Sequence, residues 1–164
     1  MASNTPIFRQ IAWIAMIPQF MVMGILIFTC HLFEFREPFL FGALIYLFLS
    51  FGLRNLVAKD HRRGIKLVKR MEYESAILSF EKSVLFFNKN KWVDKFRFLT
   101  LLSSSRMTYK EMGLCNIAFC YSQTNNGQKA KEYYEQVLKE FPENGVAMAG
   151  LKMLGLFRHS DSSK

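Results

Sequence analysis

The stretch that decides the fold is residues 111–144, which reads EMGLCNIAFCYSQTNNGQKAKEYYEQVLKEFPEN. In its first half, apolar side chains recur every three or four residues, at Leu114, Ile117, Ala118 and Tyr121. That spacing places them on one face of a helix. Residues 125–127, Asn-Asn-Gly, then interrupt the pattern in the way that a helix end does.

A second helical pattern follows this break. Its apolar side chains are Ala130, Tyr134, Val137 and Leu138, and Pro142 ends it. Two amphipathic helices joined by so short a break must fold back on each other to bury their apolar faces. The stretch therefore predicts an antiparallel helix pair, with a small alanine at the point of closest approach.

Residues 111–144 resemble the tetratricopeptide repeat (TPR), a 34-residue helix-turn-helix unit. The resemblance rests on the eight apolar positions above and on Pro142. Leu114 stands where the family usually has tryptophan, and the turn glycine comes late, as Gly127. The resemblance implies an all-α solenoid that binds proteins or peptides and has no catalytic activity.

A weaker copy of the pattern precedes this one. Ala76 and Phe80 lie 54 residues before Ala130 and Tyr134, which is one repeat plus an insert of about 20 residues. We therefore predict repeats at about 57–90 and 111–144, an insert at 91–110, and a cap helix at 146–157. These form a TPR-like helical domain over residues 59–158, and residues 159–164 are predicted to be a disordered tail.

The N-terminal third is apolar enough to anchor the chain in a membrane. Residues 11–33 carry no charge, and a second apolar run covers residues 38–57, interrupted only by Arg54 and Asn55. A helix of ~20 apolar residues crosses a bilayer core. We predict a transmembrane helical hairpin over residues 1–58, with spans at about 11–33 and 38–57 and a tight turn between them.

The net charge of +9 lies entirely in residues 54–164. Seven basic residues lie within 17 positions at the end of the second span and just after it: Arg54, Lys59, Arg62, Arg63, Lys66, Lys69 and Arg70. We call this set the basic belt. The positive-inside rule then places both termini and the TPR domain in the cytoplasm, which predicts a plasma-membrane or inner-membrane protein. Anionic headgroups explain these charges more simply than nucleic acid does, so no nucleic-acid partner is expected.

The predicted insert alternates aromatic and basic side chains. Trp92, Phe96 and Leu99 share one helical face, and Lys91 and Lys95 each directly precede an aromatic residue of that face. Two readings stay open: an extra helix that packs on the repeats, or an interfacial helix that lies on anionic headgroups.

No catalytic pattern emerges from the sequence. The histidines at 31, 61 and 159 are far apart, and Cys115 and Cys120 have neither redox nor metal-ligand spacing. The odd number of scattered cysteines is typical of a reducing compartment. We expect no enzyme activity, no cofactor, no metal and no small-molecule substrate.

The resemblance also implies a site. In TPR proteins the first helices of successive repeats form a concave partner-binding face, whose positions here are Met112, Cys115, Asn116, Phe119 and Ser122. None is cationic, which favours an apolar or helical ligand. The sequence predicts a membrane-anchored adaptor or assembly factor that binds a protein partner. The alternative is a structural subunit of a larger membrane complex, such as a transport or secretion apparatus, held by its hairpin.

Overall fold

The computed structural model describes residues 16–103 and 105–155, and over these residues the regular elements are all α-helices. They are α1 (Met16–Leu32), α2 (Pro38–Val57), α3 (Lys59–Lys69), α4 (Tyr73–Lys89), α5 (Lys91–Lys95), α6 (Arg97–Thr100), α7 (Tyr109–Gln123), α8 (Gly127–Glu140) and α9 (Gly145–Met153). The all-α prediction is confirmed for this part of the chain. The start of the first predicted span, the end of the cap helix and the tail at 159–164 lie outside the described residues.

The described residues fall into two compact units. The hairpin unit contains residues 16–59 and 89–108, and the repeat unit, named for the predicted repeats, contains residues 60–88 and 109–155. The part of the predicted insert up to Thr108 therefore groups with the apolar hairpin.

In the hairpin unit, α1 and α2 pack against each other along their length. Pro38 opens α2, where its missing N–H costs no hydrogen bond. The two helices approach closely at Gly42: an added Cβ atom would lie 2.8 Å from the Cα atom of Ile27. A small residue at such a contact lets two backbones approach, which is how apolar helices gain dispersion energy from each other.

Helix α2 is long and apolar enough to cross a membrane, and among the described residues it alone meets that criterion. Helix α1 is equally apolar but has 17 described residues, which is shorter than a full span. Only 6% of the most apolar window of α2 is buried. Its large side chains therefore lie on the surface of the hairpin unit.

The insert forms two short helices in place of the single helix that its pattern predicts. Phe96 separates α5 from α6, and α6 contacts α1. Beyond α6 the backbone is irregular, and Leu102 has a φ of 46° although its side chain is buried. Carbonyl groups in such a segment have no helical N–H partner and need another donor.

Two arginine side chains supply those donors. Arg54 Nε donates to the Leu101 carbonyl at 3.1 Å, and the other end of the same guanidinium donates to the Leu102 carbonyl. Arg97 donates to the carbonyls of Asp94 and Ser105, at 3.1 and 3.0 Å, and to that of Arg106. The planar guanidinium suits this role because it presents several N–H donors at fixed angles.

In the repeat unit, α3 and α4 form one helix pair and α7 and α8 form another, and α9 packs on the second pair. The alanines matched at the 54-residue offset, Ala76 and Ala130, are both fully buried. Phe80 is also fully buried, against α3, where a Cβ on Gly64 would lie 2.6 Å from its ring. The core of this unit joins α3, α4 and α7 through Val68, Ala76, Ile77, Phe80, Ile117 and Cys120.

The turns after α1, α3 and α7 share one backbone arrangement. A residue in the left-handed region ends each helix, at Glu34 (φ 55°), Met71 (φ 62°) and Asn125 (φ 56°). The N–H of the next residue then donates to the carbonyl five positions earlier, at 3.2, 3.0 and 2.9 Å in turn. This arrangement satisfies carbonyls that the helix leaves free and reverses the chain. Asparagine is common at such a position, but glutamate and methionine are not.

His61, at the start of α3, is buried without a hydrogen-bond partner for its Nδ1 atom. The rings of Phe80 and Tyr109 lie edge-on to its imidazole, at 5.4 and 5.2 Å between centroids. Burial lowers the pKa of His61 from 6.5 to about 4, because the apolar surroundings disfavour the charged form. The imidazole is therefore a neutral core side chain at neutral pH.

The Gly42 contact predicts how the hairpin responds to a larger side chain. Gly42→Val places methyl groups against the Ile27 backbone, and we expect this to destabilise the hairpin by about 1–3 kcal/mol. The measurement is unfolding of the full-length protein by a denaturing detergent, followed by circular dichroism. Gly24→Val is the matched control, since nothing lies within 4 Å of a Cβ at Gly24. Equal unfolding midpoints for Gly42→Val and Gly24→Val would contradict the close approach of α1 and α2 at Gly42.

The burial of His61 predicts a pH dependence of stability. Because its pKa is about 4 in the folded state and 6.5 in the unfolded state, the unfolded chain binds more protons between these values. The contribution of the neutral His61 to the free energy of unfolding is fully present above pH 6.5. It falls as the pH drops towards 4, by at most about 1.4 kcal/mol per pH unit. His61→Leu should flatten this slope in denaturation of the full-length protein, and an unchanged slope would contradict the burial of the imidazole.

Candidate functional site

The five residues predicted to bind a partner all lie on α7. Met112, Asn116, Phe119 and Ser122 are partly exposed, whereas Cys115 is buried, with 5% of its surface accessible. The structure thus brings four of the five to the surface of the repeat unit. Cys115 is an interior residue of the repeat unit.

Cys115 is covered by Asn144, the residue that caps α9. The Asn144 side-chain oxygen accepts from the Ala147 N–H at 2.8 Å and lies 3.8 Å from the Cys115 sulfur, which donates weakly to it. The Asn144 amide donates to the Glu111 carboxylate at 2.7 Å. Burial, with a smaller contribution from the Glu111 charge, raises the pKa of Cys115 to about 12. The thiol is therefore protonated and unreactive, and its role is packing.

Sequence reasoning did not identify Asn144 as part of this site. A signal was present, because Asn144 follows Pro142 and precedes an apolar run, which is the position of a helix cap. The contact with Cys115 joins residues 29 positions apart in sequence, so periodicity along α7 could not reveal it.

Phe119 has a structural role as well as an exposed edge. Its ring lies edge-on to Tyr73, with the centroids 6.3 Å apart, and it packs against the core of the repeat unit. The Ser122 hydroxyl donates its hydrogen to the Phe119 carbonyl at 2.7 Å. Met112 and Asn116 are the remaining members of the predicted face.

A second aromatic feature lies between α7 and α8, and the sequence analysis missed it. Tyr121 and Tyr133 stack with their centroids 5.6 Å apart, and the Lys129 ammonium lies 5.2 Å from the Tyr121 ring. The Tyr133 hydroxyl donates to Glu81 of α4 at 3.4 Å. Burial and the Glu81 charge raise the pKa of Tyr133 above its usual range. These contacts connect α8 to α4 and make this patch part of the packing.

The basic belt divides into two kinds of residue. Six of its members have exposed side chains: Lys59, Arg62, Arg63, Lys66, Lys69 and Arg70. Arg54 is the exception, because it is partly buried and its guanidinium donates to the carbonyls of the insert. It is therefore a structural contact within the hairpin unit, where the sequence analysis placed it among headgroup ligands.

No cluster of three or more histidine, cysteine, aspartate or glutamate side chains in residues 16–103 and 105–155 could hold a metal ion. The exposed surface of the described residues includes the apolar hairpin, the face of α7 and the basic side chains. Comparisons of the chain with protein-family models, with curated proteins and with solved structures find no match.

Proposed function

We propose that this chain is a membrane-anchored adaptor or assembly factor, in which a two-span hairpin holds TPR-like helices that bind a protein partner at the cytoplasmic face. The observation that carries the proposal is the outward apolar surface of α1 and α2. The α7 face and the basic belt support the two remaining parts, partner binding and orientation.

The exposed side chains of α2 argue for a lipid environment. Phe39 and Phe48 expose 73% and 82% of their surface, and similar exposure recurs along the helix. A core helix of a soluble protein would bury such residues, since each buried aliphatic or aromatic side chain gains roughly 1.5–3 kcal/mol. Lipid chains cover this surface at no such cost, and the 20 residues of α2 reach ~30 Å, the thickness of a bilayer core.

Helix α1 is proposed as the other span, which precedes α2 in the chain. Its described part reaches ~26 Å, and the sequence before it stays uncharged back to Ile11. Phe20 and Phe28 expose 58% and 61% of their surface, in the same manner as the residues of α2. Both helices of a tightly packed hairpin then share one environment.

The orientation is proposed from charge. The six exposed belt residues follow the second span, whereas the turn between the spans carries Glu34, Arg36 and Glu37. Positive residues that flank a span remain in the cytoplasm. Both termini and the repeat unit are therefore assigned to the cytoplasmic side of a plasma or inner membrane.

Partner binding is proposed for the α7 face, reduced to Met112, Asn116 and the exposed parts of Phe119 and Ser122. A thioether, an amide and an aromatic edge suit an apolar or helical protein segment, since methionine adapts its shape to a ligand. No step of chemistry is proposed for this face, since the one thiol beside it is buried and protonated.

The exposed hairpin also favours a second candidate function, that of a structural subunit in a larger membrane complex. Apolar side chains that pack on lipid can equally pack on the spans of other proteins. The two candidates differ in which surface holds the partner: the α7 face for the adaptor, and the hairpin for the subunit.

The adaptor proposal predicts that a charge on the α7 face releases the partner. We expect Asn116→Arg to reduce partner recovery at least tenfold, because a buried unpaired charge costs several kcal/mol at an interface. The measurement is affinity purification of the full-length protein from native membranes, with quantitative mass spectrometry. Gln136→Arg, on the exposed side of α8, is the control with the same charge change. Partners that survive Asn116→Arg but disappear when an unrelated two-span hairpin replaces residues 1–58 would favour the subunit.

The orientation predicts which introduced thiols an impermeant reagent can label. In intact cells, Arg36→Cys should be labelled directly, and Gln123→Cys only after the membrane is permeabilised, because both positions are exposed but lie on opposite sides. The native thiols give little background, since Cys30, Cys115 and Cys120 are buried. The reverse pattern would show an inverted hairpin.

A further inference from the structure

We propose that the first part of the insert, residues 91–103, is a lipid-binding element: it places Trp92, Phe96 and Leu99 at the headgroup boundary and Lys91 and Lys95 on anionic phospholipid headgroups. This inference rests on the proposed membrane hairpin and adds a ligand class to it. It selects one of the two readings that the sequence left open for the insert.

The first argument is position within the hairpin unit. Arg54 lies within the last turn of α2, so its hydrogen bonds to the Leu101 and Leu102 carbonyls fix the insert near that end of the helix. The turn of the hairpin, residues 33–37, is at the other end of α2. If α2 spans the bilayer, the insert lies at the membrane surface on the side that α2 exits.

The second argument is the surface that the insert exposes. Trp92, Phe96 and Leu99 have 63%, 44% and 45% of their surface accessible. The carbonyl contacts of Arg54 and Arg97 hold the backbone beneath them in place, so these side chains project from a supported segment. Tryptophan is enriched at membrane interfaces because its ring is apolar and its N–H is polar.

The third argument is charge. Lys91 and Lys95 are exposed beside the aromatic side chains, and the Lys95 ammonium lies 5.7 Å from the Phe96 ring centroid. Asp94 is the one acidic residue of the insert, and it is buried. The exposed charge of α5 is thus wholly positive, which complements anionic headgroups.

Size argues against a protein as the occupant. The exposed members of this surface are Lys91, Trp92, Lys95, Phe96 and Leu99. A stable protein interface needs about 20–30 residues on each side. A lipid surface requires no such area here, because the hairpin already holds the insert at the bilayer.

The test uses the fluorescence of Trp92 in the full-length protein. The chain has two tryptophans, so Trp13→Phe leaves Trp92 as the sole emitter. The protein is reconstituted into vesicles of phosphatidylcholine, with or without phosphatidylglycerol. Quenching is measured with lipids brominated near the headgroup or near the chain end, and with acrylamide, which reaches both sides of the vesicle.

We expect Trp92 to lie within roughly 5–10 Å of the boundary between headgroups and acyl chains. Lipids brominated near the headgroup should therefore quench it more than those brominated near the chain end, and phosphatidylglycerol should reduce its quenching by acrylamide. The control is Gln136→Trp in a chain with both native tryptophans replaced by phenylalanine. Gln136 is exposed on α8, so acrylamide alone should quench this tryptophan.

The lysines are tested by charge removal. Lys91→Gln with Lys95→Gln should lower the ratio of lipid-bound to free insert by roughly fivefold per lysine in anionic vesicles, with little change in neutral ones. Lys129→Gln with Lys139→Gln, two exposed lysines of α8, removes the same charge and should leave Trp92 quenching unchanged.

Two outcomes overturn the inference. Full quenching of Trp92 by acrylamide and none by brominated lipids would show a surface in water, and protection from both quenchers would show a surface covered by protein. Phe48→Trp, in the exposed middle of α2, separates failure of the insert proposal from failure of the membrane anchor. If brominated lipids quench that residue but not Trp92, the hairpin spans and only the insert proposal fails.

Discussion

The hydrogen bonds from Arg54 to the Leu101 and Leu102 carbonyls join the apolar hairpin to a segment that follows it by more than 40 residues. Without a donor, these carbonyls would be buried and unsatisfied, since Leu101 and Leu102 are themselves buried. Each such group costs roughly 1–3 kcal/mol. One side chain thus makes an irregular segment compatible with a buried position and fixes where along α2 that segment lies.

Much of the helical content was predictable, because it depends on residues three or four positions apart. The spacing of Leu114, Ile117 and Ala118 predicts α7, and Asn125 signals the turn that follows it. The turns at Glu34 and Met71 have the same backbone but no such signal, since neither residue favours the left-handed region. There the packing of the flanking helices sets the turn, and local sequence does not record that packing.

The predicted site was harder to derive from the sequence, because packing between helices also determines which of its residues are exposed. Cys115 falls on the face of α7 that the resemblance to TPR proteins assigns to a partner, yet Asn144, which precedes α9, covers it. The insert shows a similar effect: Trp92, Phe96 and Leu99 fit one helical face, but the backbone breaks at Phe96 and continues irregularly. The contact between Asn144 and Cys115 joins residues distant in sequence, and a pattern along one helix contains no information about it.

The placement of Arg54 also reconciles two demands on a cation near the end of an apolar helix. A guanidinium close to lipid loses hydration, and it needs acceptors to compensate for that loss. The carbonyls of the insert provide them while the positive charge remains, so in the proposed orientation Arg54 still counts among the cations that flank the span. A lysine would carry the same charge, but its ammonium could not match two carbonyls with the fixed geometry of a guanidinium. The contact between α2 and the insert thus depends on an arginine at position 54, which neither hydropathy nor net charge distinguishes from an ordinary flanking cation.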